Sequence, residues 1–184
     1  LIDENPIQNY LLRRLRRSIG VVPQDVFLFS GSLHDNITIN RENIDLQQAE
    51  KIAKEIDLYD FINGLPGGFG FNVMERGQSL SLGQRQLLSF IRAVANNPSI
   101  IIMDEATSSI DSETELLLQR AIETLLSNRT ALVVAHRLST VVSADIILVL
   151  DQGVIVEQGT HATLLKKNGH YAKFYHRQLM MQGQ

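Results

Sequence analysis

The 184-residue chain contains no cysteine. That excludes a disulfide framework, a thiolate metal site and a cysteine nucleophile, and it permits a reducing compartment. Positive charge is not in excess either, since 17 Lys and Arg stand against 20 Asp and Glu, a formal net charge of −3. No global basic field favours DNA or RNA, so no nucleic-acid partner is expected. Long apolar runs are also missing. The longest, such as Ile146 to Leu150, fall far short of the ~20 residues that cross a bilayer. The start, Leu1-Ile2-Asp3-Glu4-Asn5-Pro6, lacks the basic-then-apolar pattern of a signal peptide. None of the 12 glycines is followed by lysine, so the phosphate-cradling sequence G-x-x-x-x-G-K with a following Ser or Thr does not occur. What remains is about one domain's length, with one hydrophobic core, and the expectation of a soluble cytoplasmic domain.

Continuous β-branched runs at Ile19 to Val22, Ile100 to Met103, Ala131 to Ala135 and Ile146 to Leu150 read as strands. Apolarity without alternation predicts burial on both faces, as in a parallel sheet covered by helices. Val154 to Val156, after Asp151-Gln152-Gly153, is expected to close a hairpin with the last of them. Helical period appears between the strands. Asp45 with Gln48 forms a capping box ahead of Ala49, Ile52, Ala53 and Ile56. Leu87, Ile91, Val94 and Ala95 form a second stripe that Asn97-Pro98 stops. Ser112 and Glu115 predict another capping box ahead of Leu118, Ala121, Ile122 and Leu125, and Tyr171, Phe174, Tyr175 and Gln178 mark a terminal helix. Residues 33 to 97 show almost only helical period, which predicts an α/β sheet carrying a helical insertion. The loop Gly64 to Gly70 is the most flexible-looking segment.

Polar residues stand at the ends of three expected strands: Gln24, Asp104-Glu105 and His136. Taken singly, such a carboxylate is a cap or surface-loop residue and such a histidine a hydrogen-bonded loop residue. In open α/β sheets, however, ligands bind outside the carboxyl ends of the strands, and three coincident strand ends argue for a site. One of the adjacent carboxylates could hold Mg²⁺ with phosphate oxygens and water while the other works on an attacking water. His136 could donate to a phosphate oxygen. Leu80-Ser81-Leu82-Gly83-Gln84 precedes a well-formed helix, whose free N–H groups favour anions. On this segment alone Ser81 reads first as the cap of that helix.

Together these stretches resemble the nucleotide-binding domain of ABC transporters over essentially the whole chain. Val22-Pro23-Gln24-Asp25 is similar to the Q-loop, and Leu80 to Gln84, continuing Arg85-Gln86, to the ABC signature. Ile100 to Glu105 resembles the Walker B strand with its catalytic Glu, Ala106 to Asp111 the D-loop, and Ala135-His136-Arg137 the H-loop. Phe27 to Ser32 with Asp35-Asn36-Ile37, and Val73 to Gly77 in the place of the X-loop, resemble the exporter branch. Leu82 replaces the first signature glycine, and Met74 stands where exporters usually have Gly.

The resemblance implies a P-loop NTPase core over 1–24 and 98–184, with a helical subdomain over 25–97. It implies that Asp104 and Gln24 serve Mg²⁺, that Glu105 polarises the hydrolytic water, and that His136 contacts the γ-phosphate while Gln24 senses it. Ser81, Gly83 and Gln84 would serve the ATP of a second domain in a head-to-tail dimer, with Asp111 communicating across it. The region after Gln24 would meet a transmembrane domain, on the cytoplasmic face of the membrane. In the family the P-loop and the adenine-stacking aromatic lie upstream of the Q-loop. The chain is therefore expected to be the C-terminal part of an exporter, beginning after its Walker A motif and without appreciable ATPase activity alone. The competing reading is a soluble ABC-type ATPase of DNA repair or chromosome maintenance, against which the apolar Phe27-Leu28-Phe29 argues. The cluster Arg13, Arg14, Arg16, Arg17 reads as a solvated face. A non-catalytic dimerisation fragment is the third reading.

Overall fold

A computed structural model describes residues 1–39, 44–104, 111–127, 129–135 and 138–182. The chain forms two compact units, Leu1–Val133 and Val134–Gln184.

The first unit runs through α1 (Leu12–Ser18), β1 (Ile19–Val22), β2 (Gly31–Ser32), α2 (Leu33–Thr38), α3 (Leu46–Glu55), α4 (Tyr59–Asn63), β3 (Asn72–Val73), α5 (Leu82–Val94), β4 (Ile100–Asp104), α6 (Ser112–Leu126) and β5 (Thr130–Val134). β1 and β4 pair in parallel, in register from Ile19↔Ile100 to Val22↔Met103, and β5 completes the order β1-β4-β5. Everything from β2 to α5 is thus inserted between two neighbouring parallel strands, which is the expected helical insertion.

β1 and β4 bury one face rather than two, and β5 has no buried residue, which corrects the expectation of two-sided burial. Val22, Ile101 and Met103 are buried, whereas Val21 is 55% and Leu132 56% exposed. Side chains alternate across a strand, and α5 packs on the buried face of β1 with α6 against α5. At Gly20 the sheet and the insertion approach closely. A Cβ there would lie 2.5 Å from the Ala93 carbonyl oxygen and 2.9 Å from Pro98. The core gathers Leu28, Leu33, Ile37, Leu87, Leu88, Phe90 and Ile91 of the insertion with Val22, Ile101 and Met103 of the sheet.

Local chemistry explains where the helices begin. At α3, Asp45 accepts from the Gln48 amide at 2.8 Å and Gln48 accepts from the Asp45 amide at 3.3 Å. α6 starts one residue earlier than the Ser112 capping box predicts. Asp111 is the cap, its Oδ1 accepting from the Thr114 amide at 2.9 Å. Adjacent Asp and Ser are both good caps, and the carboxylate accepts more strongly. The Gly64–Gly70 segment is a succession of hydrogen-bonded turns over the buried Phe69, with positive φ at Gly67 and Gly68.

The second unit contains α7 (Leu138–Val142), β6 (Ile147–Asp151), β7 (Val154–Gly159), α8 (His161–Lys167) and α9 (His170–Gln182). β6 and β7 form the expected antiparallel hairpin, closed by Gln152 and Gly153, both at positive φ as a type I′ turn requires. Ile147, Leu164 and Tyr171 form its small core, with Val141, Val149, Leu165 and Tyr175 against them. Leu148, Leu150, Val154 and Ile155 are exposed, so two-sided burial is not met here either. The terminal helix is present, though of its expected apolar markers Phe174 is 40% exposed.

Candidate functional site

Pairing of Val22 with Met103 brings the carboxyl ends of β1 and β4 to one edge of the sheet. Asp104, half-buried, is the last residue of β4, and Gln24, exposed, follows β1 by two residues, so both leave the sheet at that edge. Their side chains offer a carboxylate and an amide oxygen, an all-oxygen donor pair. Mg²⁺ takes one or two protein oxygens and completes its shell with phosphate and water, so this pair fits it. Glu105 and His136, the other strand-end residues, lie outside the described residues.

Ser81, Gly83 and Gln84 form their own cluster at the head of α5. Ser81 is the cap: its Oγ accepts from the Gln84 amide at 3.2 Å, and Gln84 Oε1 accepts from the Ser81 amide at 3.0 Å. The turn before it is locked by Arg85, whose Nη1 donates to the carbonyl oxygens of Leu80 at 2.7 Å and Gly77 at 3.3 Å. Gly77 has φ +72°, and a Cβ there would meet Arg85 at 2.7 Å and Leu28 at 2.8 Å. The capping box uses the Gln84 N–H, while the amides of Leu82 and Gly83 belong to the first turn, which has no intrahelical acceptors. Asp111 heads a different helix, α6.

The stretches singled out after Gln24 and around Met74 are neighbours. Gly31 pairs with Val73 and Ser32 with Asn72, and the Leu33 amide donates to the Phe71 oxygen at 2.9 Å. Phe27, Phe29 and Met74 are exposed, and the two phenyl rings meet edge to face at 4.9 Å. Asp35 closes a capping box with Ser32; the Ser32 hydroxyl first, then its amide, holds the carboxyl below its ordinary value.

Sequence reasoning missed Asn36 and Arg92 as working residues. Asn36 is 1% exposed, and Arg92 donates to both its oxygens and to the Phe27 carbonyl. The available signal was a polar residue inside each apolar stripe, between Leu33 and Ile37 and between Ile91 and Val94.

Among the described residues no helix is long and apolar enough to cross a membrane. Residues 1–108 match the family model described as ABC transporter. The chain is 48% identical over 171 residues to the ABC transporter ATP-binding protein YknV of Bacillus subtilis, covering 93% of this chain and 28% of that protein. It is 46% identical over 176 residues to the ATP-dependent lipid A-core flippase of Xylella fastidiosa, covering 95% of this chain and 30% of that protein. A bacterial Atm1-family ABC exporter with ATP bound superposes with a TM-score of 0.85 at 40% identity, over 97% of this chain and 31% of the exporter chain. The chain therefore spans less than a third of the length of these relatives. The fold is the α/β architecture of the P-loop NTPase domain in ABC exporters, with its helical insertion. A match over residues 1–108, carrying the strand-end and α5-head stretches up to Ser108, places the chain in the ABC transporter family, to which it belongs.

Proposed function

We infer that this chain is part of the ATP-binding and hydrolysing domain of an exporter, coupling hydrolysis to transport at the cytoplasmic face of a membrane. The observation that carries the reading is the β1–β4 register, which sets Gln24 and Asp104 at one strand end while Ser81, Gly83 and Gln84 head a separate helix. One strand-end group and one helix-head group are what a head-to-tail pair of domains needs to close around a nucleotide. The relatives named as a flippase and an exporter support the same direction. In this reading the ATPase core covers 1–24 and 98–184, and the helical subdomain 25–97.

Bound ATP supplies the phosphoryl group that is transferred to water. Asp104, through a water, and Gln24 would hold the Mg²⁺ that neutralises phosphate charge. Glu105 orients and polarises the attacking water, His136 donates to the γ-phosphate, and Gln24 carries its presence to the segment beyond β1. Ser81, Gly83 and Gln84 present N–H and hydroxyl groups to the phosphates of the partner domain's nucleotide, and Asp111 links the two sites. Exposed Phe27, Phe29 and Met74 form the apolar edge that receives the transmembrane domain.

Without a Gly-Lys pair the chain lacks the P-loop cradle and its lysine for the phosphates, so the 184 residues alone have no appreciable ATPase activity in this reading. The test is ATPase measurement on the purified chain and on the full-length transporter that contains it. The chain is expected at background. The transporter is expected to hydrolyse ATP and to lose on the order of 10²-fold or more with Glu105→Gln. Hydrolysis by the chain that disappears with Glu105→Gln would sink the inactive-fragment part. A full-length protein without ATPase activity would sink the whole reading.

A further inference from the structure

We propose that Arg92 and Asn36 form the joint through which movement of α5 reaches the Phe27–Phe29 edge, which makes them positioning residues for coupling. This rests on the exporter reading above.

Between β1 and β2 the backbone is irregular and belongs to no ladder, so its polar groups must be satisfied by side chains or water. Two side chains do much of this. Asn36 Nδ2 donates to the carbonyl oxygens of Phe29 at 2.9 Å and Ser32 at 3.0 Å, while its Oδ1 accepts from the Phe29 amide at 2.9 Å. That same Oδ1 accepts from Arg92 Nη2 at 2.6 Å. Arg92 Nε donates to the Asn36 carbonyl oxygen at 2.6 Å, and Nη1 to that of Phe27 at 2.5 Å. An amide has two donor and two acceptor positions, and all four of Asn36 are in use.

Phe29 is therefore held at both its backbone groups, and Phe27 at its carbonyl, while both rings face outward, 56% and 53% exposed. An apolar edge built on irregular chain would be free to rearrange. Here it is bolted to the last turn of α5. That helix is 13 residues long, about 20 Å at ~1.5 Å per residue, and its other end is the Ser81 head. Any tilt of α5 as the helix head engages a nucleotide moves the guanidinium, and through it the two phenylalanines. Arg92 suits the joint because its planar fork reaches three acceptors at once, which an ammonium does not.

The test uses the full-length transporter in liposomes, with a nitroxide pair on the extracellular ends of its transmembrane helices. Distances are measured without nucleotide and with ATP and vanadate, and ATP hydrolysis and thermal midpoint are followed in parallel. For Arg92→Ala and Asn36→Asp the expected result is kcat and KM for ATP within about twofold of the unaltered protein. The nucleotide-driven distance shift should fall at least about fivefold in population. Arg92→Lys, which keeps the charge but not the fork, should restore only part of the shift. Asn36→Asp carries the test if Arg92→Ala does not fold, because it keeps the acceptor facing Arg92 and loses the donors to Phe29 and Ser32. A full shift in both variants overturns the joint. So does a parallel fall of hydrolysis and shift, which marks a purely structural role. An unaltered protein without hydrolysis overturns the exporter reading itself, and the joint with it.

Discussion

Ser81 and Gln84 hold each other at the head of α5, the Gln84 amide donating to Ser81 Oγ and the Ser81 amide to Gln84 Oε1. The same hydroxyl that would face a partner's nucleotide thus also caps its own helix. The two roles can be separated. Ser81→Ala removes the cap and is expected to lower stability by about 1 kcal/mol in urea unfolding. Ser81→Asp keeps the cap, so stability should stay within about 0.5 kcal/mol, but it sets a carboxylate where phosphate would approach. Nucleotide-dependent association with a P-loop-bearing partner should be lost in both. Association preserved in Ser81→Asp would remove Ser81 from the nucleotide site.

Gly20 is where the insertion returns to the sheet, and space rather than backbone conformation makes glycine necessary there. A methyl group at this position would press on the Ala93 carbonyl oxygen, on Ile101 and on Pro98 together. Two of those are backbone or ring atoms that cannot rotate away. Gly20→Ala is expected to destabilise by about 1–3 kcal/mol, as overpacking does. Equal unfolding midpoints for the two proteins would contradict the close approach.

What was legible in the sequence follows from the range of the interactions involved. The strand starting at Ile19, the box at Asp45 and the cap at Ser81 depend on neighbours within a few residues, and the structure bears them out. The shift from Ser112 to Asp111 is a local ambiguity between two capping residues. The one-sided burial of β1 and β4 could not be read from continuous apolar runs, because an apolar residue looks the same whether or not a layer covers it. Asn36 and Arg92 lie 56 residues apart, and their bond depends on how α2 and α5 pack. Asp104 and Gln24 were legible as strand-end residues converging at one edge of a parallel sheet, and the β1–β4 register bears that edge out.

In the second unit, Glu157 grips the head of α9, Oε2 accepting from the Tyr171 amide at 2.8 Å and Oε1 from the His170 amide at 3.0 Å. The Tyr171 bond foremost, against some desolvation, holds its carboxyl below the ordinary 4.5. A depressed carboxyl stabilises the fold above its ordinary value, and the contribution is lost as pH falls through the folded value. Glu157→Gln should therefore lower the thermal midpoint at neutral pH and converge with the unaltered chain in acid below 4.5. A gap between the two that persists unchanged into strong acid would show that the charge is not what matters. Gly169→Ala should mimic the loss, since its methyl would overlap Glu157 Oε1.

Phe27 and Phe29 offer the sharpest separation of stability from function. Their rings touch each other edge to face at 4.9 Å, yet each is more than half exposed, and their backbones are held by Asn36 and Arg92 rather than by their own side chains. Phe29→Ala removes only the ring contact, so the isolated chain should lose about 0.5 kcal/mol, the low end for an aromatic pair at an exposed site. In the full-length transporter the same change removes apolar area from the edge assigned to the transmembrane domain. Chemical cross-linking between that edge and the transmembrane domain should drop, while ATP affinity stays within about twofold because no group near Gln24, Asp104 or Ser81 is altered. A large loss of stability in the isolated chain would mean that the rings are part of the core, and unchanged cross-linking would mean that the edge faces water.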